Sequence, residues 1–229
     1  MLEGTWGERM SPVIPRRTTG ENVVIPAGML RLEGTLTLPA EPRGVVLFAH
    51  GSGSSRLSPR NRFVADVLSQ AGFGTLLFDL LTEPEAENRA NVFDIGLLAD
   101  RLACARAWVA DWPATVGLAA GYFGASTGAA AALVAAAEAG DVAAVVSRGG
   151  RPDLAGEALS RVTAPTLLIV GGDDREVLDL NRLALARLSG VKQLAVVPGA
   201  THLFEEPGTL EQVAELAATW FGRYVTKAS

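Results

Sequence analysis

The sequence predicts an α/β fold: one mostly parallel central sheet with helices on both faces, in a single domain without a cap domain. Three observations lead there. Short, nearly continuous apolar runs recur along the chain, the pattern of strands covered on both faces. Between them lie segments whose apolar residues repeat at helical spacing. Strands alternating with helices in this way form right-handed parallel βαβ units. The 229 residues suffice for one core that buries roughly 70–75% of the unfolded surface.

Residues 1–22 read as a disordered N-terminal extension ahead of a domain over residues 23–229; the first 19 mix Gly, Pro, Arg and polar residues without the apolar core of a secretory signal, and the expectation from this is a cytoplasmic protein. Residues 28–38 alternate apolar and polar side chains, with Leu30, Leu32, Leu36 and Leu38 on one face, as a half-exposed antiparallel edge strand does. The buried runs are residues 45–49, 75–78, 116–120, 142–146, 166–170 and 193–197. Helical faces are traced by Phe63, Val64, Val67, Leu68 and Ala71, then over residues 91–112 by Ile95, Leu98, Leu102, Ala105 and Val109. A small-residue run follows at 129–137, a weaker face at Leu183, Leu185 and Leu188, and a final amphipathic helix from Leu210 to Tyr224. Residues 80–90 form a polar insertion too short for a lid domain. Trp108, Trp112 and Trp220 read as helix-packing residues. Cys104, the only cysteine, reads as a small packed hydrophobe, so the sequence offers neither an intrachain disulfide nor a cysteine metal cage.

A net charge of −5 argues against a nucleic-acid surface, which needs clustered Lys and Arg. No apolar stretch approaches the roughly 18 residues of a membrane span. The loop at residues 51–56 begins Gly51-Ser52-Gly53 after a strand, but Arg56 stands where a dinucleotide-binding turn needs its third glycine.

The chemistry centres on Gly124-Ala125-Ser126-Thr127-Gly128, a G-x-S-x-G between an apolar run and a small-residue helix. In that context the glycines let a strand turn sharply into a helix, leaving the serine hydroxyl free at the sheet edge. A serine needs an adjacent base, itself oriented by a carboxylate. Of the two histidines, His202 follows the last buried run and His50 ends the first. Asp173 and Asp174 leave another strand end on Gly171-Gly172, and one of them is expected to cap the next helix. All these positions fall at the carboxyl edge of the sheet, where open α/β folds place their sites.

The run Gly121 to Gly128, with His50-Gly51-Ser52-Gly53, Gly171-Gly172-Asp173-Asp174 and Thr201-His202, resembles the dienelactone hydrolase-like branch of the α/β-hydrolases over roughly residues 30–224. The resemblance implies a small serine hydrolase without a cap, acting on carboxylic esters or lactones and needing no metal or organic cofactor. By matching position it makes Ser126 the nucleophile, Asp174 the orienting acid and His202 the base. The backbone N–H groups of Thr127 and Ser52 are then the oxyanion donors. Dienelactone hydrolases proper carry cysteine where this chain has Ser126, a departure that bears on the dienelactone substrate and leaves the acyl-transfer class intact. Arg56 and Arg148 are candidates to hold an acidic group of a small soluble substrate, set against an ordinary ion pair; Arg151 has Asp153 as an obvious partner. A peptidase, an acyltransferase or a non-catalytic binding protein on the same scaffold remain open alternatives.

Overall fold

The computed structural model describes residues 20–225. Eight strands form one sheet in the order β1-β2-β4-β3-β5-β6-β7-β8. The strands are β1 Glu21–Ala27, β2 Leu30–Thr37, β3 Val45–Ala49, β4 Gly74–Phe78, β5 Ala120–Ala125, β6 Ala144–Arg148, β7 Thr166–Gly171 and β8 Lys192–Val197. β1 and β2 are antiparallel to each other, β2 is antiparallel to β4, and every other pairing is parallel. The helices are α1 Pro59–Gln70, α2 Glu83–Glu87, α3 Arg89–Val92, α4 Ile95–Asp111, α5 Thr127–Ala139, α6 Arg175–Arg187 and α7 Thr209–Tyr224, with a 3₁₀ segment Pro152–Arg161.

Because successive side chains on a strand face opposite ways, each inner strand feeds two cores. Val45, Leu47, Ala49, Leu76 and Tyr122 pack with α4 and α5 on one face, while Val46, Phe48, Leu77 and Phe123 pack with α1 and α7 on the other. This double burial is why the apolar runs are continuous rather than alternating.

The structure corrects several expectations. Residues 21 and 22 belong to β1, not to an extension; residues 1–19 lie outside the described residues. Val23, Ile25 and Ala27 of β1, which pairs with β2, are buried in the core that α4 covers. A two-residue turn joins the pair, with Gly28 at a φ of 63°, as a II′ hairpin requires. β1 is therefore the edge strand and β2 lies inside it. The fifth strand is Ala120–Ala125, not 116–120. Residues before it are held in a turn by Thr115, whose hydroxyl donates to the Val109 carbonyl at 2.6 Å, and Val116 is exposed. β6 likewise starts later than residue 142 and runs on to Arg148. The expected helix over 91–112 is two, because the Asp94 carboxylate accepts the Leu97 N–H at 3.0 Å and starts α4 afresh. The polar insertion folds into α2 and α3, with Thr82 and Glu85 forming a capping box.

The reversal of direction at β3, whose chain neighbours β4 and β5 lie on opposite sides of it, opens a crevice at the carboxyl ends of the strands. His50, Ser126, Arg148, Asp174 and His202 follow or end β3, β5, β6, β7 and β8 at that edge.

Candidate active site

Ser126 sits between β5 and α5 with φ 50° and ψ −121°, one of two non-glycine residues at positive φ among the described residues. Such a conformation costs of order 1–3 kcal/mol and persists only where its surroundings over-determine it. Here they do. The Ser126 carbonyl accepts N–H groups from Ala129 and Arg151, each at 3.1 Å, and the Ser126 N–H donates to the Arg148 carbonyl at 3.3 Å. A Cβ on Gly124 would lie 2.4 Å from the Ala129 Cα, and one on Gly128 would lie 2.2 Å from the Ala49 carbonyl oxygen. Only glycine at these two positions lets β5, α5 and β3 approach closely enough to hold the turn.

His202 lies in the loop after β8, and its Nδ1 donates to Asp174 Oδ2 at 2.7 Å. That bond fixes the ring and leaves Nε2 as the free acceptor. Asp174 occupies the N-cap position of α6, yet its side chain makes no capping bond, so the carboxylate is committed to the imidazole. Asp173 joins the loop through its backbone N–H, 3.0 Å from the Ala200 carbonyl. The expectation that one aspartate side chain caps α6 is not met.

The loop bearing His202 is closed by a clamp that sequence reasoning missed. Glu206 accepts the Thr201 hydroxyl at 2.6 Å and the Thr201 N–H at 3.1 Å, which lowers the Glu206 pKa. Phe204 anchors the same loop in the α1–α7 core. The signal was available as a Thr and a Glu five residues apart around a buried aromatic.

Ser126, His202 and Arg148 line one cavity of about 600 Å³, roofed by residues 51–55 and 57–60. The Ser126 hydroxyl and the imidazole are not hydrogen-bonded to each other; in unliganded enzymes such contacts often tighten only when substrate binds. Arg148 is 7% exposed, with a single side-chain hydrogen bond, to Asn61 Oδ1 at 3.4 Å, and its Nε has no partner. No carboxylate among the described residues pairs with it. Burial, and then the neighbouring Arg60 cation, pushes its pKa down to about 10. Arg60 lines the same cavity and pairs with Glu205 at 3.1 Å.

The other predicted residues fall out differently. Arg56 is not among the residues lining the Ser126 cavity: its guanidinium binds Asp79 and Glu33, each at 2.6 Å, and it borders a second, largely apolar cavity of about 450 Å³ that shares residues 51–55 and 57 with the first. Two carboxylates already neutralise it, so Arg56 is an ion-pair residue here. Arg151 pairs with Asp153 through two bonds, at 2.8 and 2.9 Å. His50 is half-buried, with Nδ1 donating to the Gly51 carbonyl at 3.0 Å and Nε2 accepting the Leu80 N–H at 3.1 Å. Burial lowers its pKa, so it is a neutral brace between β3 and the end of β4. Thr127 opens α5, where the helix N-terminus presents N–H groups and positive potential. The Ser52 N–H is already engaged, donating to Thr127 Oγ1 at 2.9 Å.

A crystal structure of a dienelactone hydrolase from Anabaena variabilis is 56% identical to this chain, covers 91% of it and 99% of its own length, and superposes with a TM-score of 0.88. The chain belongs to the dienelactone hydrolase family. Est1E from Butyrivibrio proteoclasticus, 15% identical, matches 90% of this chain and 98% of its own with a TM-score of 0.76, a likeness of fold. Two Mycobacterium tuberculosis proteins, provisionally named phosphoribosyl transferases, are 66% identical over 202 residues, 88% of this chain and 46% of theirs. The chain thus spans about half the length of the curated relatives it matches. No family model matches the chain. Among the described residues no helix is long and apolar enough to cross a membrane.

Proposed function

We propose that this chain is a serine hydrolase that cleaves carboxylic esters or lactones of small soluble substrates through an acyl-enzyme on Ser126. The observation that carries this reading is a serine in strained geometry opening on the same cavity as an imidazole backed by a carboxylate. His202 Nε2 takes the hydroxyl proton as Oγ attacks the carbonyl carbon, and returns it to the leaving alcohol. It then deprotonates the water that releases the acid, with Asp174 stabilising the imidazolium at each stage. The N-terminus of α5 stabilises the oxyanion of both tetrahedral intermediates. Arg148, a buried cation without a counter-ion in that cavity, favours substrates carrying an acidic group. The triad belongs to a chain acting on its own small-molecule substrate, with no cofactor, nucleic acid or membrane partner in the scheme.

The test is hydrolysis of a panel of p-nitrophenyl esters and lactones by the chain and by Ser126→Ala. Loss of such a nucleophile costs around 10⁶ in turnover, and a fluorophosphonate should label Ser126 and nothing else. Wild-type rates in Ser126→Ala would end the proposal. Aminoacyl and acyl-acceptor substrates in the same panel address peptidase and acyltransferase readings, and a phosphoribosyl pyrophosphate donor addresses the name of the M. tuberculosis relatives; hydrolysis of the simple esters should dominate.

A further inference from the structure

An oxyanion hole built from the Ser52 and Thr127 N–H groups needs both hydrogens free, and one is not. The Ser52 N–H carries a single hydrogen, and it points at Thr127 Oγ1 from 2.9 Å. A hydroxyl has two lone pairs and one hydrogen, so accepting from Ser52 leaves the Thr127 hydrogen to be placed. Thr127 is 4% exposed, and its hydroxyl donates to no acceptor among the described residues. A buried donor left idle costs about 1–3 kcal/mol. Its own backbone N–H, at the first position of α5, has no intrahelical acceptor either. The Gly51–Ser52 peptide lies against the elbow, since a Cβ on Gly51 would sit 2.9 Å from the Ser126 Cβ. Thr127 Oγ1, 2.9 Å from the Ser52 nitrogen, therefore stands in front of the donor expected to face a carbonyl attacked by Ser126.

We propose that Thr127 holds the oxyanion twice, through its backbone N–H and through its side-chain O–H, with the Ser52 N–H acting from behind the hydroxyl. The inference rests on the acyl-enzyme reading and adds a catalytic side chain to it. Accepting a hydrogen bond polarises an O–H and strengthens it as a donor, so the Ser52 N–H still contributes, relayed through one oxygen. Both donors stand at the positive end of α5 and are fixed before the reaction begins, which is what makes such donors effective. No proton changes hands in the relay; the serine proton still travels to His202.

The same contact admits an opposite role, in which Oγ1 plugs the hole and keeps the Ser52 N–H from the substrate. The two roles predict opposite signs. In Thr127→Val the shape is kept and the hydroxyl removed. As a donor its loss should slow Ser126 labelling by a fluorophosphonate, whose phosphoryl oxygen takes the place of the carbonyl oxygen, and lower kcat on p-nitrophenyl acetate, each by about 10²-fold. KM should change far less. Thr127→Ser, which retains the O–H, should recover to within roughly fivefold of wild type on the same donor argument. Labelling or turnover in Thr127→Val equal to or faster than wild type would overturn the proposal. If the valine variant does not fold, Thr127→Ala against Thr127→Ser gives the same comparison. Wild-type chain unlabelled at Ser126 overturns the acyl-enzyme and this inference together; labelled wild type with an unaffected valine variant overturns this inference alone.

Discussion

Replacing Arg148 by methionine should make the protein more stable and less able to use acidic substrates. The magnitude comes from the side chain's surroundings. A guanidinium whose pKa burial pushes down to about 10 bears about 3 kcal/mol against its charged form. Methionine has similar length and no charge to desolvate, and replacing buried charge by apolar volume is often stabilising. Against that gain stands Asn61, 2% exposed, whose Oδ1 loses its 3.4 Å contact at about 1 kcal/mol. The net gain is about 2 kcal/mol, or roughly 4–8 °C in Tm for a chain of this size. Thermal melts followed by circular dichroism read it. In parallel, kcat/KM for the p-nitrophenyl hemiester of succinic acid should fall at least tenfold further than that for p-nitrophenyl butyrate, since a hydrogen bond to a charged group contributes about 1.5–3 kcal/mol. A Tm lowered by 5 °C or more would refute the reasoning by making Arg148 a structural residue, and equal losses on the two esters would remove its role in recognition.

Three further outcomes are expected. His50, with its pKa lowered by burial, takes up its proton more readily unfolded than folded; its contribution to stability is complete above the unfolded value of about 6.5 and is lost as pH falls below it. Melts between pH 8 and 5 should therefore show a decline below pH 6.5 that is shallower in His50→Gln, and parallel curves would dismiss His50 as its source. Glu206→Ala frees Thr201 from both of its bonds to that carboxylate and should lower kcat roughly tenfold by loosening the base, with Tm within about 2 °C; an unchanged kcat would show that Phe204 alone positions the loop. Gly128→Ala places a Cβ 2.2 Å from the Ala49 carbonyl oxygen and 2.5 Å from that of His50, so it should cost about 3 kcal/mol and lower Tm by roughly 6–12 °C, a loss that differential scanning calorimetry should detect.

The parallel part of the fold was legible because burial on both faces writes itself as uninterrupted apolar runs: β3, β4 and β7 sit within a residue or so of where the pattern put them. β8 lies as close to its expected place, but it is the sheet's other edge strand and only Val197 in it is buried, so it is not covered on both faces as expected. β5 was misplaced for a physical reason. Its sequence, Ala-Gly-Tyr-Phe-Gly-Ala, is weak by strand propensity because Gly121 faces Phe221 and Gly124 faces α5, so tertiary packing selects small residues where a sequence reader looks for branched ones. β1 was hidden by its Pro26, which an edge strand tolerates. At the site, residues with short-range signatures were readable: the elbow from its glycines, and the His–Asp pair from strand ends. Arg56 was not, because Asp79 and Glu33, each 23 residues or so distant along the chain, decide its charge environment and only the folded sheet brings them to it.

The edge that carries the site concentrates strain. Ser126 holds an unfavourable φ, Arg148 keeps a charge without a counter-ion, and the Thr127 hydroxyl has an unassigned hydrogen. Each opposes folding by about 1–3 kcal/mol, in a protein whose whole stability is of order 5–15 kcal/mol. A fold can tolerate such a cluster only if packing elsewhere supplies the margin, which the two cores flanking β3 and β5 do. The three burdens also share one remedy. On the proposed reading, a substrate that places an acidic group at Arg148 and a carbonyl oxygen at Thr127 satisfies both, and attack on it engages the serine that the turn holds out. Binding energy and catalysis are then coupled through groups that the unliganded chain leaves unsatisfied, so relieving the buried Arg148 charge should stabilise the protein and slow it together, whereas removing the Thr127 hydroxyl would also leave the Ser52 N–H without its acceptor.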